Sequence, residues 1–235
     1  MQQASKVVMN ANTSPSFSVG MPSLGPSAPI VFIAVEDANT REALTEISRA
    51  MGWRSRELPS ARAFLSEPED TVPSCLVLDV SVPWYGDLRF HERLTAERKD
   101  TPVVCVTGVA DILMTVRLMK AGVVDVLPKP VRPDLLVDAV RNGLVRSEAG
   151  LRERTALGRL RQSYESLSRR ERDVMRLVVS GLLNKQAGGE LGISEITVKA
   201  HRGRVMRKMN ARSFADLVNM ADRLKLGATA HAEPA

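Results

Sequence analysis

Five residues in the first 130 of this 235-residue chain have side chains suited to handling charge, and each falls at the end of a short stretch that reads as a strand. Glu36 and Asp37 follow the run at 30–35, and Asp79 ends the one at 75–78. Thr107 closes 102–106, and Lys129 lies just past 124–127. Carboxylates are hard oxygen donors, a lysine is a point positive charge and a threonine hydroxyl donates a hydrogen bond, so the set has the chemistry to hold a charged group. A second set lies near the other end of the chain: Lys185, Thr197, Lys199, Arg202, Arg204, Arg207 and Lys208 fall within 24 positions. Residues 151–225 hold 17 Lys and Arg against 8 Asp and Glu, a balance of +9, whereas residues 1–150 balance at −2. Basic charge confined to the last third is the footprint of a polyanion partner; a solvated arginine-rich helix surface accounts for it equally well.

Other chemistries find little material. Three histidines (His91, His201, His231) and two cysteines (Cys75, Cys105) show no metal-ligand spacing. Both cysteines sit in apolar runs and read as small buried thiols in a reducing cytosol. The N-terminus lacks a continuous apolar stretch after Lys6, and no apolar run approaches 18 residues, so neither a signal peptide nor a membrane span is expected. The hydrophobic fraction of 44% supplies cores for two domains, and with only 4% aromatic residues those cores must be aliphatic.

The charged residues need a frame that gathers strand ends. Short apolar runs at 30–35, 75–78 and 102–106 suit strands covered on both faces, 124–127 reads as a further short strand, and 55–58 as a weaker one. Between them lie helical patterns: one capped by Asn39 with Glu42 as its capping-box partner and ended by Gly52, one at 61–65 capped by Ser60, one at 86–97, and one at 112–120 stopped at Gly122. A further helix starts near Pro133. Five alternating units predict a doubly wound parallel sheet, whose ligands bind beyond the carboxyl ends of the strands. Helical character then continues to about residue 166. Leu151, Leu157, Leu160 and Leu167 are candidate seam positions, and a dimerising linker and a solvated charged linker both remain open. Four more helices are expected at 168–180, 184–191, 195–210 and 213–224, with Ser168, Ser194 and Ser213 as caps. The expected division is a disordered extension at 1–28, an α/β domain at 29–145, a helical linker at 146–165, an all-α domain at 166–225 and a disordered tail at 226–235.

The acidic residues after the first strand, Asp79 with Pro83 four residues on, Thr107-Gly108, Lys129-Pro130 and the segment 119–125 together resemble a response-regulator receiver domain over about residues 30–145. The resemblance implies a flavodoxin-like five-stranded fold with Asp79 as phosphoacceptor. It implies Mg2+ held by Glu36, Asp37 and Asp79, and a phosphoryl group met by Lys129 and sensed by Thr107. Two positions depart from the family pattern. Counting back from Arg41, the usual acidic pair falls on Val35 and Glu36, and valine cannot bind a cation. Val126 stands where such receivers usually carry Phe or Tyr. Weakened phosphorylation is the expectation.

Residues 182–209 closely resemble the LuxR-type helix-turn-helix. Gly192 permits the tight turn, and Ile193, Val198, Val205 and Met209 share an inward face at helical spacing. Lys199, Ala200, Gly203 and Arg207 occupy another face, where the small residues allow close approach to base edges and Lys199 reaches a base acceptor. Lys185, Thr197, Arg202, Arg204 and Lys208 suit phosphates. The whole resembles a NarL/FixJ-type response regulator. This implies a cytoplasmic homodimer on double-stranded DNA, served by a sensor histidine kinase and acting on RNA polymerase. A phosphorylation-independent regulator, whose receiver serves dimerisation or ligand binding, is the alternative. A phosphatase is disfavoured by the lack of Asp at position 81, and no Gly-rich phosphate loop or Ser-His-Asp pattern points to another enzyme.

Overall fold

The computed structural model describes residues 27–69, 71–80, 93–94, 97–98, 101–108 and 112–226. The expectations for residues 1–26, for Pro83, for most of the helix at 86–97 and for 227–235 lie outside them.

The five expected strands are present as β1 (Ile30–Ala34), β2 (Arg54–Glu57), β3 (Ser74–Asp79), β4 (Val103–Thr107) and β5 (Asp125–Pro128). All pair in parallel, in the order β2-β1-β3-β4-β5. Side chains alternate across a strand, so β1, β3 and β4 serve two apolar layers at once. Phe32, Ala34, Leu76, Leu78 and Cys105 pack in one layer, and Val31, Ile33, Val35, Val77 and Val106 in the other. Every residue of these three strands is buried, which is why they read as continuous hydrophobic runs. Each fully buried large aliphatic side chain contributes about 1.5–3 kcal/mol to such a core. Both cysteines lie within it with free thiols, and burial pushes each thiol up to about 12.

The connecting helices are α1 (Ala38–Ala50), α2 (Ala61–Leu65) and α3 (Ile112–Lys120). The start of α1 differs from expectation. Its cap is Asp37, not Asn39: the Asp37 carboxylate accepts from the Thr40 backbone N–H at 2.7 Å and from the Thr40 hydroxyl at 2.5 Å. Thr40, three residues on, gives Asp37 two donors, so the helix begins before Asn39 is reached. Ser60 caps α2 as expected.

Helix α4 runs unbroken from Pro133 to Glu165, 33 residues, with Pro133 at its start. Its first half covers β3, and Gly143 allows the close approach: a Cβ there would lie 2.8 Å from the Cys75 Sγ. Gly143→Ala is expected to destabilise this half of the chain by about 1–2 kcal/mol through overpacking. Urea unfolding of Gly143→Ala, Cys75→Ala and the double variant checks the contact. The double variant should cost less than the sum of the singles, because removing Sγ makes the room that the new methyl needs.

Four helices follow: α5 (Arg169–Val179), α6 (Asn184–Leu191), α7 (Glu195–Lys208) and α8 (Phe214–Arg223). Ser168, Ser194 and Ser213 cap α5, α7 and α8. Gly192 closes α6 in the left-handed region at φ 65°, where a side chain would be strained. Leu160 and Leu167 are buried in the core of these helices with Met175, Val205, Met209 and Leu217, and Leu157 packs against it. They join the end of α4 to its own chain. Among the described residues no helix is long and apolar enough to cross a membrane.

Candidate acidic site and nucleic-acid interface

The parallel sheet brings the expected charged residues to one edge. Asp79 ends β3, its side chain 3% exposed, and accepts from the Lys129 Nζ at 2.5 Å. Thr107, buried at the end of β4, accepts the Lys129 backbone N–H at its carbonyl, 2.8 Å away, which fixes where the lysine leaves β5. The Lys129–Pro130 peptide is cis. A buried carboxylate beside an ammonium that is itself only partly exposed is a polar centre inside two apolar layers.

The β1 side of the edge is poorer in donors. The register sets Ala34 against Leu78, so Val35 falls level with Asp79, and strand alternation puts the two on the same face. Val35 is buried among Ile33, Val77 and Val106. In this register Val35, and not Asp37, stands on the β1 side of Asp79. Asp37 is exposed and its Oδ2 caps α1; the two Thr40 bonds, ahead of the charges of Lys129 and Arg41, hold its carboxyl below the ordinary carboxylate value. Glu36 is exposed. Arg41 braces the loop, donating to the Val35 carbonyl at 3.0 Å and the Glu36 carbonyl at 3.3 Å. Among the described residues no three acidic, His or Cys side chains gather to hold a metal. Asp79, Glu36 and Asp37 are the oxygen donors a Mg2+ ion would use, and as placed they fall short of a complete cation site. Val126 is partly buried against the layer that holds Leu76 and Cys105.

In the all-α half, Val198 and Val205 of α7 are fully buried, Met209 nearly so, and Ile193 packs against Val174, Val178 and Ala187. The opposite face of α7 carries Lys199, Ala200, Gly203, Arg204 and Arg207, all exposed. Lys199 is paired with Glu195 one turn back at 2.9 Å, an exposed contact easily exchanged for another anion. Lys185 is exposed in the first turn of α6. Thr197 is half-buried and its hydroxyl lies 2.8 Å from that of Ser194. Ile196 is exposed on the same face as Ala200 and Gly203. It lies outside the expected set, although its spacing of four and seven residues from them was readable in the sequence.

Two expected phosphate contacts have other partners. Arg202 stacks over the Phe214 ring at 4.5 Å and reaches the Asn184 side chain at 3.4 Å, tying α7 to α6 and α8. Lys208 donates to Glu171 at 2.7 Å and to the Ser166 carbonyl at 3.1 Å. Lys208 itself is exposed, and its ammonium reaches back to buried Glu171. His201 is half-buried with its Nδ1 enclosed and without a partner among the described residues.

Glu171 also accepts from the Ser168 backbone N–H at 2.8 Å. The Lys208 bond first, then that backbone bond, hold its carboxyl below the ordinary 4.5. A carboxylate with a lowered native value adds stability that is complete above its unfolded value and lost as pH falls through the native one. Thermal melts of the intact chain should therefore show these helices weakening in acid below pH 4.5. The melting profile of Glu171→Gln should be flatter there; equal acid sensitivity in the two proteins would show that the pair has no such role.

Comparison with known proteins bears on both halves. The family described as response regulator receiver domain matches residues 31–141, and the family described as bacterial regulatory proteins, luxR family, matches residues 165–221. The chain is 43% identical over 199 residues to Nodulation protein W of Bradyrhizobium diazoefficiens, covering 85% of this chain and 88% of that protein. It is 36% identical over 206 residues to the response regulator protein TodT of Pseudomonas putida, covering 88% and 91%. Among solved structures, the response regulator StyR superposes with a TM-score of 0.69 at 39% identity, over 83% of this chain and 99% of that one.

Proposed function

Because this chain belongs to the two-component response regulators that join a receiver domain to a LuxR-type DNA-binding domain, we propose that it regulates transcription as a homodimer on duplex DNA, with a receiver whose phosphorylation at Asp79 is weakened. We assign the receiver to residues 29–145, the linker to 146–165 and the DNA-binding domain to 166–225. Lys199, Ala200, Gly203 and Arg207 approach base edges, and Lys185, Thr197 and Arg204 meet phosphates. Arg202 and Lys208 act mainly by fixing α7 against its neighbours. A sensor histidine kinase in the cytoplasm supplies the phosphoryl group, and RNA polymerase receives the output.

The observation that carries the weakened receiver is buried Val35 level with Asp79. In the phosphorylation step a donor's bond to phosphorus breaks and a bond to an Asp79 carboxylate oxygen forms. The added charge must be met locally. Lys129 stands ready at 2.5 Å and Thr107 ends the neighbouring strand, but the β1 side offers hydrocarbon where a carboxylate would help hold a cation. A missing carboxylate of this kind costs roughly 10–100-fold in metal affinity. The second reading, a regulator independent of phosphorylation, is favoured by the same residue and parts from the first in the labelling measurement that closes the Discussion.

The dimer is supported by α3. Ile112 is 79% exposed, and Leu113, Val116 and Met119 also stand in solvent, all large apolar side chains on one nine-residue helix. Such a patch marks a protein interface, and paired half-sites require two reading heads about one helical turn apart. Ile112→Asp with Leu113→Asp is expected to weaken self-association by about tenfold or more. Sedimentation of the two proteins tests this; unchanged association would place the interface elsewhere.

A further inference from the structure

We propose that Ile196 reads the methyl group of a thymine in the major groove, a specificity contact beside Lys199; this rests on the DNA-binding role given to α7 above. Residues 196, 200, 203 and 207 are spaced by four, three and four, which places them on one stripe of a helix. Their exposure agrees: Ile196 is 79% exposed, and Ala200, Gly203 and Arg207 are exposed with it, while Val198 and Val205 are buried on the other side. Ala200 and Gly203 add little bulk, so Ile196 is the large apolar side chain that stands out from this stripe. Lys199, paired with Glu195 beside the isoleucine, and Arg204 and Arg207 further along the helix make the exposed face net positive, which draws a polyanion and not an apolar protein surface onto it.

Ile196 is also well placed along the helix. It is the second residue of α7, and the N-terminal residues of a recognition helix are those that contact base edges. The helix start is fixed by Ser194, whose hydroxyl accepts the Thr197 backbone N–H at 3.2 Å, so the isoleucine is presented from a held backbone. An isoleucine has no donor for a phosphate oxygen. The one apolar group on the major-groove edge of a base pair is the thymine C5 methyl. In the free protein the Ile196 hydrocarbon stands in water, and covering it with that methyl is favourable. The consequence is a preference for thymine over cytosine at one position of each half-site.

The test uses the full chain and duplexes selected by it from a random-sequence pool. Each thymine is replaced in turn by deoxyuridine, which keeps base pairing and removes only the methyl. At one thymine per half-site the replacement should weaken wild-type binding about 3- to 10-fold. Ile196→Ala should bind the thymine and uracil duplexes equally, and Ile196→Val should show an intermediate penalty. Because the side chain is exposed, the melting temperature of either variant should match wild type. Wild-type binding indifferent to every replacement, or an Ile196→Ala protein that keeps the wild-type penalty, would overturn the proposal while leaving DNA binding intact. Failure to recover any duplex from the pool would overturn the DNA-binding role itself.

Discussion

Val35→Asp should raise the affinity of the receiver for Mg2+ by roughly 10- to 100-fold. Labelling of Asp79 by a small phosphodonor should then accelerate. Position 35 lies level with Asp79 on one face of the sheet, so a carboxylate there adds an oxygen donor beside one already present. Two opposing effects bound the gain. Position 35 is buried, and placing a carboxylate in that layer costs stability unless a cation or hydrogen bond compensates. Like charge beside Asp79 also competes for Lys129, whose ammonium pairs with Asp79. The variant should therefore be less stable than wild type without Mg2+ and recover when the ion is added, through ligand-linked stabilisation. Melting curves at several Mg2+ concentrations give both quantities. A variant that melts like wild type at every concentration would show that residue 35 does not face the site.

Lys199→Ala should lose roughly 1–3 kcal/mol of sequence discrimination, whereas Arg204→Ala should weaken specific and random duplexes alike and lower the salt slope by about one. Lys199 lies near the exposed stripe of α7 and pairs with Glu195 on the solvent side, a contact that the proposed base acceptor would replace. Arg204 flanks that stripe on the other side, where a phosphate strand would run. Titrating each variant against a selected duplex and a scrambled one, at two salt concentrations, separates the roles. Equal losses on both duplexes for Lys199→Ala would show that its contact is to phosphate.

How much of this was readable in the sequence follows from what each feature depends on. The positions of Asp79 and Thr107 were legible because parallel strands buried on both faces leave unbroken apolar runs, and the first charged or polar residue after each run marks the strand's end; Lys129 was legible from the short strand and the Pro-Lys-Pro that follow the turn at Gly122. The serine caps of α5, α7 and α8 were legible for a similar local reason. The cap of α1 was not: Asn39 with Glu42 satisfied the same local pattern as Asp37 with Thr40, and only the place where β1 ends decides between them. The fate of Lys208 and Arg202 depended on tertiary partners, buried Glu171 and the Phe214 ring, that lie 37 and 12 positions away in the chain. Leu160 and Leu167 had the spacing of a seam because a helix face buried by a partner copy and one buried by its own domain carry the same period.

The most direct test of the central claim is to incubate the full chain with Mg2+ and a small phosphodonor such as acetyl phosphate, and to follow the Asp79 phosphate by mass spectrometry. The same samples would be measured for binding to the selected duplex. Slow, partial labelling is expected, with DNA binding by Asp79→Asn close to that of the unlabelled wild type. Rapid stoichiometric labelling, with a tightening of DNA binding that vanishes in Asp79→Asn, would contradict the reading of Val35 and show a receiver of full strength.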